Sequence, residues 1–230
     1  PAVAKAAMDS GVAQRPIEDF DSYRRNLAEF VFKTGPAMKT VFERARKKPT
    51  RIVYADGESE RVLRGVQGVL DERIAKPILV GRPDVVEMRI ERLGLRMRPD
   101  VDFELVNPHH DSRYRQYWTE FQTLMERKGV SPAEARNVVR TNNTVIGSIM
   151  LRRGEADGMI CGIAGRFTEH VSHIQNLLGM RDGIKNLYAM TALITQKGTL
   201  FICDTHAIAE PTAEQTAEMT VLATEVVRRF

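Results

Sequence analysis

Cysteine is scarce: the chain has two, Cys161 and Cys203. Both sit in apolar, strand-like runs, without the paired spacing of a zinc site or the density of a disulfide scaffold. They read as reduced core residues, the usage expected of a cytoplasmic protein. No run of 18 apolar residues occurs, so no membrane-spanning helix is expected, and no secretory apolar stretch lies near the start. Aromatic residues make up only 7% of the chain. The net charge of +4 is spread among interleaved Asp and Glu, which argues against nucleic acid as a partner. The P-loop, the G-x-S-x-G elbow and the H-E-x-x-H pair are all missing. There is no internal repeat and no low-complexity segment.

What is present is the composition of a globular protein with a real core: 43% apolar and 28% charged residues over a length of 230, enough for one large or two small domains. The chain starts with Pro rather than Met and stops at Arg228-Arg229-Phe230 inside an amphipathic helix pattern, so a piece of a longer protein is expected. Two stretches concentrate positive charge, Arg44–Lys48 and Arg89–Arg98. Such patches suit phosphorylated cofactors such as coenzyme A by simple attraction.

Residues 1–48 read as a helical lead-in. Pro1–Ser10 is a helix ended by Gly11. Ile17, Phe20, Tyr23, Leu27, Phe30 and Val31 recur at helical spacing, Gly35-Pro36 interrupts, and Met38, Val41, Phe42 and Ala45 resume it. From Pro49 the pattern changes. Short apolar strands at 51–54, 77–80 and 103–106 alternate with helices at 58–73 and 83–93, which means βαβ units and a parallel sheet. Helix 112–128 carries a continuous stripe of Tyr114, Tyr117, Trp118, Phe121, Leu124 and Met125. Ser131-Pro-Ala-Glu134 is a capping box with Pro at the first helical position, and Asn142 or Asn143 caps a further helix at 144–153.

The stretch Leu151–Thr168 organises the rest. Met159-Ile160-Cys161 reads as a central strand covered on both sides. Gly162, Ala164 and Gly165 follow at its carboxyl end, where small residues let a backbone approach a ligand. Arg166 and Thr168 then open a helix. In open α/β sheets ligands bind outside the carboxyl ends of the strands, and a helix N-terminus there favours an anion. After helix 169–178 a crossover leads into strands at 187–193 and 199–203, a hairpin by their short connection. Asp204-Thr-His206 follows and would lie on the ligand side if its strand is parallel. The chain has five histidines, including His170, His173 and the His109-His110 pair. They lack acidic partners at ligand spacing, so they read as surface or helix-face residues rather than a metal site.

From Arg51 onward these features resemble the phosphotransacetylase family: the first strand with its helix, Ile78-Leu-Val-Gly81, the Lys128-Gly129 helix break, the Gly154-Glu-Ala-Asp-Gly158 turn and the Cys161–Gly165 loop. Pro1–Gly11 through Arg15-Pro16-Ile17 looks like the end of the catalytic part of large bacterial NADP-dependent malic enzymes, hybrids that carry a phosphotransacetylase-like domain after the malic enzyme domain. The resemblance implies a three-layer α/β/α fold with a split first domain and an inserted, here incomplete, second domain. It divides the chain into a lead-in at 1–48, domain 1 at 49–180 and the start of domain 2 at 181–230. It implies that the family's catalytic Ser and Asp lie in a later segment, so no catalytic residue is assigned here.

The resemblance further implies acetyl-CoA as an effector, with Gly162, Ala164, Gly165, Arg166, Thr168 and Asp204 as binding residues. No cofactor is expected in this piece; NADP and Mg or Mn belong to the parent malic enzyme domain. The malic enzyme domain of the same chain and a homo-oligomer are the implied partners. Two arginines of active family members fall at Met125 and Ser172 in an ungapped register, with Arg127 and Arg166 nearby but displaced. Met125 also lies on the buried stripe of its helix. Met and Ser cannot replace a bidentate guanidinium clamp. Three functions follow as expectations: an acetyl-CoA-sensing regulatory and oligomerisation domain of a malic enzyme, which converts malate to pyruvate; an active phosphate acetyltransferase; or a purely structural assembly domain.

Overall fold

A computed structural model describes residues 2–13, 17–23, 35–195 and 198–229. Packing divides the chain into two compact units, one of residues 44–185 and one of residues 1–43 with 186–230. The sequence reading set its boundaries at 48/49 and 180/181.

The larger unit is built on a four-stranded parallel sheet. Its strands are β1 (Thr50–Tyr54), β2 (Ala75–Val80), β3 (Glu104–Val106) and β4 (Gly158–Ile160), in the order β3-β2-β1-β4. Register pairs Val53 with Ile78 and with Met159, and Leu79 with Leu105. Strand residues alternate between two cores, as the two-residue period requires. Val53, Ile78, Val80 and Val106 face one helical layer, and Tyr54 and Leu79 face the other.

The first layer holds α5 (Tyr114–Met125), α6 (Pro132–Thr141), α7 (Asn143–Arg152) and α8 (Phe167–Leu178). Tyr117, Phe121, Val139, Ile146, Ile149 and Leu177 fill it. The second holds α3 (Glu60–Glu72) and α4 (Pro83–Arg92), through Leu63, Val66, Val86 and Ile90. Each such buried side chain contributes roughly 1.5–3 kcal/mol of transfer free energy. The result has the parallel sheet that the alternating pattern predicts, in the three-layer α/β/α arrangement that the resemblance implies.

Local signals set the helix ends. Ser131 Oγ accepts from the Glu134 N–H, and Pro132 stands at the first helical position of α6. Of the two asparagines in question, Asn142 is the cap of α7: its side-chain oxygen accepts from Thr144 and Val145 N–H. The expected helix at 112–128 is α5 followed by a tight 3₁₀ turn at Glu126–Lys128, ended by Gly129 at φ 86°. The turn before β4 is fixed by Asp157, which takes the Arg51 N–H and guanidinium at 2.8 Å each and returns its own N–H to the Arg51 carbonyl. Arg51 holds the Asp157 carboxyl down to about 2.

One expectation about this sheet is corrected. Among the described residues Met159-Ile160-Cys161 does not form a central strand. Among the described residues β4 stands at the end of the sheet, paired only with β1, and Ile160 is half exposed. The centre belongs to β1 and β2, whose residues 53, 79 and 80 are fully buried. Three consecutive apolar residues suit a covered strand, but strand order depends on partners distant in sequence.

Outside the sheet, α1 (Ala2–Asp9) ends before Gly11 at φ 73°, and α2 (Gly35–Lys47) opens at Gly35-Pro36. Much of the expected lead-in stripe, including Leu27, Phe30 and Val31, falls outside the described residues. Strands β5 (Met190–Thr195) and β6 (Gly198–Cys203) form an antiparallel hairpin, and α9 (Ala213–Val227) follows with a full Thr212–Gln215 capping box. Because β6 is antiparallel to β5, the condition that would place Asp204 on the ligand side of a parallel sheet is not met. Both cysteines are free and half-buried rather than core residues. No helix of the described residues is long and apolar enough to cross a membrane.

Candidate functional site

The parallel strands bring four chain segments together at the carboxyl edge of the sheet. They are the turn after β1, the loop after β4, the amino end of α7 and the amino end of α8. Ala55 donates its N–H to the Ile160 carbonyl, and Asn143 Nδ2 donates to the Ala55 carbonyl at 2.9 Å. Gly57 fits beneath this turn because a Cβ there would stand 2.6 Å from the Val80 carbonyl oxygen.

The 162–168 loop is held from below. One oxygen of Asp56 accepts from the Gly162 and Ile163 N–H groups at 3.0 and 3.1 Å. His170 pairs through Nε2 with the Ala164 carbonyl at 2.7 Å and through Nδ1 with the Thr144 hydroxyl at 2.8 Å. A carbonyl only accepts, so Nε2 carries the proton and Nδ1 accepts from Thr144. Thr144 is buried, and its hydroxyl is thereby satisfied. Gly162 and Gly165 both take φ 94°, and a Cβ on Gly165 would stand 2.9 Å from His170 Nε2. Only glycine meets both demands at position 165.

The expected ligand residues divide by unit. Gly162, Ala164, Gly165, Arg166 and Thr168 share the loop and the first turn of α8. Arg166 is the N-cap and supplies no side-chain cap. Its side chain is 84% exposed, with Glu169 at 3.9 Å. A helix start whose own cap residue offers no acceptor, next to an exposed guanidinium, suits an anion. Asp204 belongs to the smaller unit, and its carboxylate is engaged locally by the N–H groups of Ala189, His206, Ala207 and Ile208. Burial pushes that carboxyl up, and these four bonds together pull it down to about 2.

No activated nucleophile stands at the loop. Burial pushes the Cys161 thiol up, and the Asp56 charge adds to the rise. A raised thiol stays protonated and unreactive. Met125 packs against the apolar core, and Ser172 is exposed with its Oγ accepting from Asn176 Nδ2 at 3.4 Å. Neither position presents a cation.

The sequence reading missed Asp56, Thr144 and the role of His170, which it took for a helix-face residue. Asp56 follows an apolar strand directly, and a polar residue at a parallel strand's carboxyl end is the signal that could have drawn attention to it. His173 meets Asn142 Nδ2 at 3.1 Å. Because the Asn142 oxygen is occupied by the α7 cap, His173 Nε2 accepts and the ring is neutral. Burial and then His170 push its pKa down, with Glu169 opposing.

Comparison with known proteins matches the chain to a family. A phosphate acetyl/butaryl transferase family model matches residues 37–230. An NADP-dependent malic enzyme of Escherichia coli (strain K12) is 52% identical over the whole chain, which covers 30% of that enzyme. An NAD-dependent malic enzyme of Rhizobium meliloti is 50% identical, again over 30% of its length. A phosphate acetyltransferase of Nitratidesulfovibrio vulgaris is 27% identical over 83% of this chain and 26% of that protein. The chain therefore spans about three-tenths of the malic enzymes it matches. The EutD phosphotransacetylase from Staphylococcus aureus superposes with a TM-score of 0.70 at 21% identity, over 80% of this chain and 56% of that one, and so shares the fold. By its sequence the chain belongs to the phosphate acetyl/butaryl transferase family.

Proposed function

We propose that this chain is a regulatory domain of a malic enzyme, binding acetyl-CoA at the 162–168 loop without carrying out acetyl transfer. The observation that carries the reading is the contrast between a fully braced loop and the absence of a cation at Met125 and Ser172. The resemblance puts the family's arginines at those two positions. A loop braced by Asp56 and His170, beside the exposed Arg166 at a helix start, supports binding of an anionic ligand. Acetyl transfer to phosphate needs fixed cations around the developing charge, and Met125 in the core supplies none. Regulation then requires acetyl-CoA to bind two states of the enzyme unequally. The parent reaction is oxidative decarboxylation of malate to pyruvate, with NADP and Mg or Mn held by the malic enzyme domain of the same chain, in a cytoplasmic enzyme.

The test is calorimetric titration of acetyl-CoA into the full-length protein, alongside Arg166→Ala. Saturable binding weakened by the substitution is expected. No saturation at millimolar acetyl-CoA overturns the reading. Acetyl phosphate formation from acetyl-CoA and phosphate would restore the transferase alternative.

One observation favours an assembly role beside sensing. On the hairpin, Leu193 pairs in register with Leu200, and both, with Ile202 two residues on, are about half exposed on one face. A second copy of the chain is the occupant proposed for this apolar face. Leu200→Glu is expected to lower the sedimentation coefficient of the full-length protein; an unchanged value removes the role.

A further inference from the structure

A cleft of about 600 Å³ lies at the opposite, amino-terminal edge of the sheet from the loop. It is wholly within the larger unit, and its lining comes from the starts of β1, β2 and β3 and the connections that lead into them. The volume is in the range of small-molecule sites. Its apolar lining includes Leu70, Pro77 and Phe103.

The charges around it are unequal in their engagement. Arg51 is bound to Asp157, Glu104 to Arg113 at 2.8 Å, and Asp102 to Arg98 at 3.6 Å. Three charged side chains of the lining remain. Arg73, from the connection between α3 and β2, and Lys76, near the start of β2, have no ion-pair or side-chain hydrogen-bond partner among the described residues. Among the described residues Asp100, on the approach to β3, has no cation and only a long side-chain bond from the Leu105 N–H at 3.4 Å.

The backbone gives a second, independent sign. Among the described residues Arg73 and Asp100 are the two non-glycine positions at positive φ, 55° and 57°. Arg73 is the C-cap of α3 in the left-handed conformation, a position glycine fills without steric penalty. The chain keeps a guanidinium and a carboxylate where glycine would relieve both turns. Strain of this kind gathers at binding sites, and here both instances line one cleft.

We infer that this cleft binds a small zwitterion with an apolar body, of α-amino-acid chemistry. Its carboxylate meets Arg73 and Lys76, its ammonium meets Asp100, and its hydrocarbon part lies on Leu70, Pro77 and Phe103. A plain dianion would face Asp100 unpaired, and a plain amine would face two cations. The inference is independent of the acetyl-CoA reading, which concerns the other edge of the sheet.

The experiment is calorimetry on the full-length protein with L-phenylalanine, 3-phenylpropionate and phenethylamine as probes. L-Phenylalanine is expected to bind tightest and phenethylamine weakest. Arg73→Gly is expected to raise the thermal midpoint while weakening phenylalanine binding about tenfold, the scale of one lost charged contact. Asp100→Asn is expected to weaken phenylalanine and leave phenylpropionate unchanged. Arg166→Ala, at the loop, is expected to leave phenylalanine binding intact, which separates failure here from failure of the acetyl-CoA reading. The inference is overturned by no saturation up to about 10 mM phenylalanine, by unchanged affinity in Arg73→Gly, or by loss of binding in Arg166→Ala.

Discussion

His170 Nε2 lies 2.7 Å from the Ala164 carbonyl oxygen, while its Nδ1 takes the hydroxyl proton of Thr144. One imidazole thus ties the small-residue loop to the start of α7. His170→Ala leaves the buried Thr144 hydroxyl without its acceptor. A loss of about 1–3 kcal/mol in unfolding free energy is expected from urea titration. Acetyl-CoA affinity should fall with it, because the loop loses its brace. Unchanged affinity would show that the loop holds its shape without His170.

Gly165 answers to two separate constraints, its φ of 94° and the His170 ring 2.9 Å from where a Cβ would stand. Gly165→Ala is therefore expected to cost about 1–3 kcal/mol. Gly154, also at positive φ, has open space around its Cβ position. Gly154→Ala isolates the backbone part, so its thermal midpoint should fall less than that of Gly165→Ala.

Asp56 uses a single oxygen for both the Gly162 and Ile163 N–H groups. Asparagine keeps one such oxygen, so Asp56→Asn should retain most of the loop's geometry. Asp56→Ala removes the acceptor and is expected to cost about 1.5–3 kcal/mol, the range for bonds to a charged group. Hydrogen exchange at Gly162 and Ile163 would rise in the alanine variant and stay near the parent rate in the asparagine one.

His173 gives the fold an acid sensitivity. Its pKa is lowered in the folded state, so the unfolded chain binds the proton more readily. Above the unfolded value of about 6.5 both states are neutral and the group contributes no pH dependence. As pH falls below it, stability is lost. Protonation also sets Nε2–H against the Asn142 amide N–H. His173→Gln, whose oxygen can take that N–H, should show a smaller drop in urea midpoint between pH 7.5 and 5 (a span chosen to bracket that value). An identical drop would assign the sensitivity elsewhere.

Arg166 is 84% exposed and caps nothing. Arg166→Ala should leave unfolding free energy within about 0.5 kcal/mol of the parent, because its one ion pair, with Glu169, is long and solvent-exposed. Its effect should appear in acetyl-CoA binding alone. A large stability change would mean the side chain supports the loop rather than the ligand.

Much of the architecture was legible because its signals are local. The short apolar strand at 51–54, the stripe from Tyr114 to Met125, Ser131 three residues before Glu134, and an Asn at 142 or 143 before an apolar run are properties of neighbouring residues. So is the run of small residues Gly162, Ala164 and Gly165 after an apolar strand. These determined the layers, the helix starts and the place of the loop.

The tertiary structure decided the rest. The order β3-β2-β1-β4 put Met159 and Ile160 at the end of the described sheet, and the antiparallel β5–β6 pair turned Asp204 inward to its own loop. Asp56 reaches N–H groups 106 and 107 residues away, and His170 reaches Thr144 across 26. No periodicity records such pairs, because a short polar side chain bonds whatever donor the packed strands bring within 3 Å. The sequence determined which residues would be polar at the strand ends; only strand order decided which of them would meet.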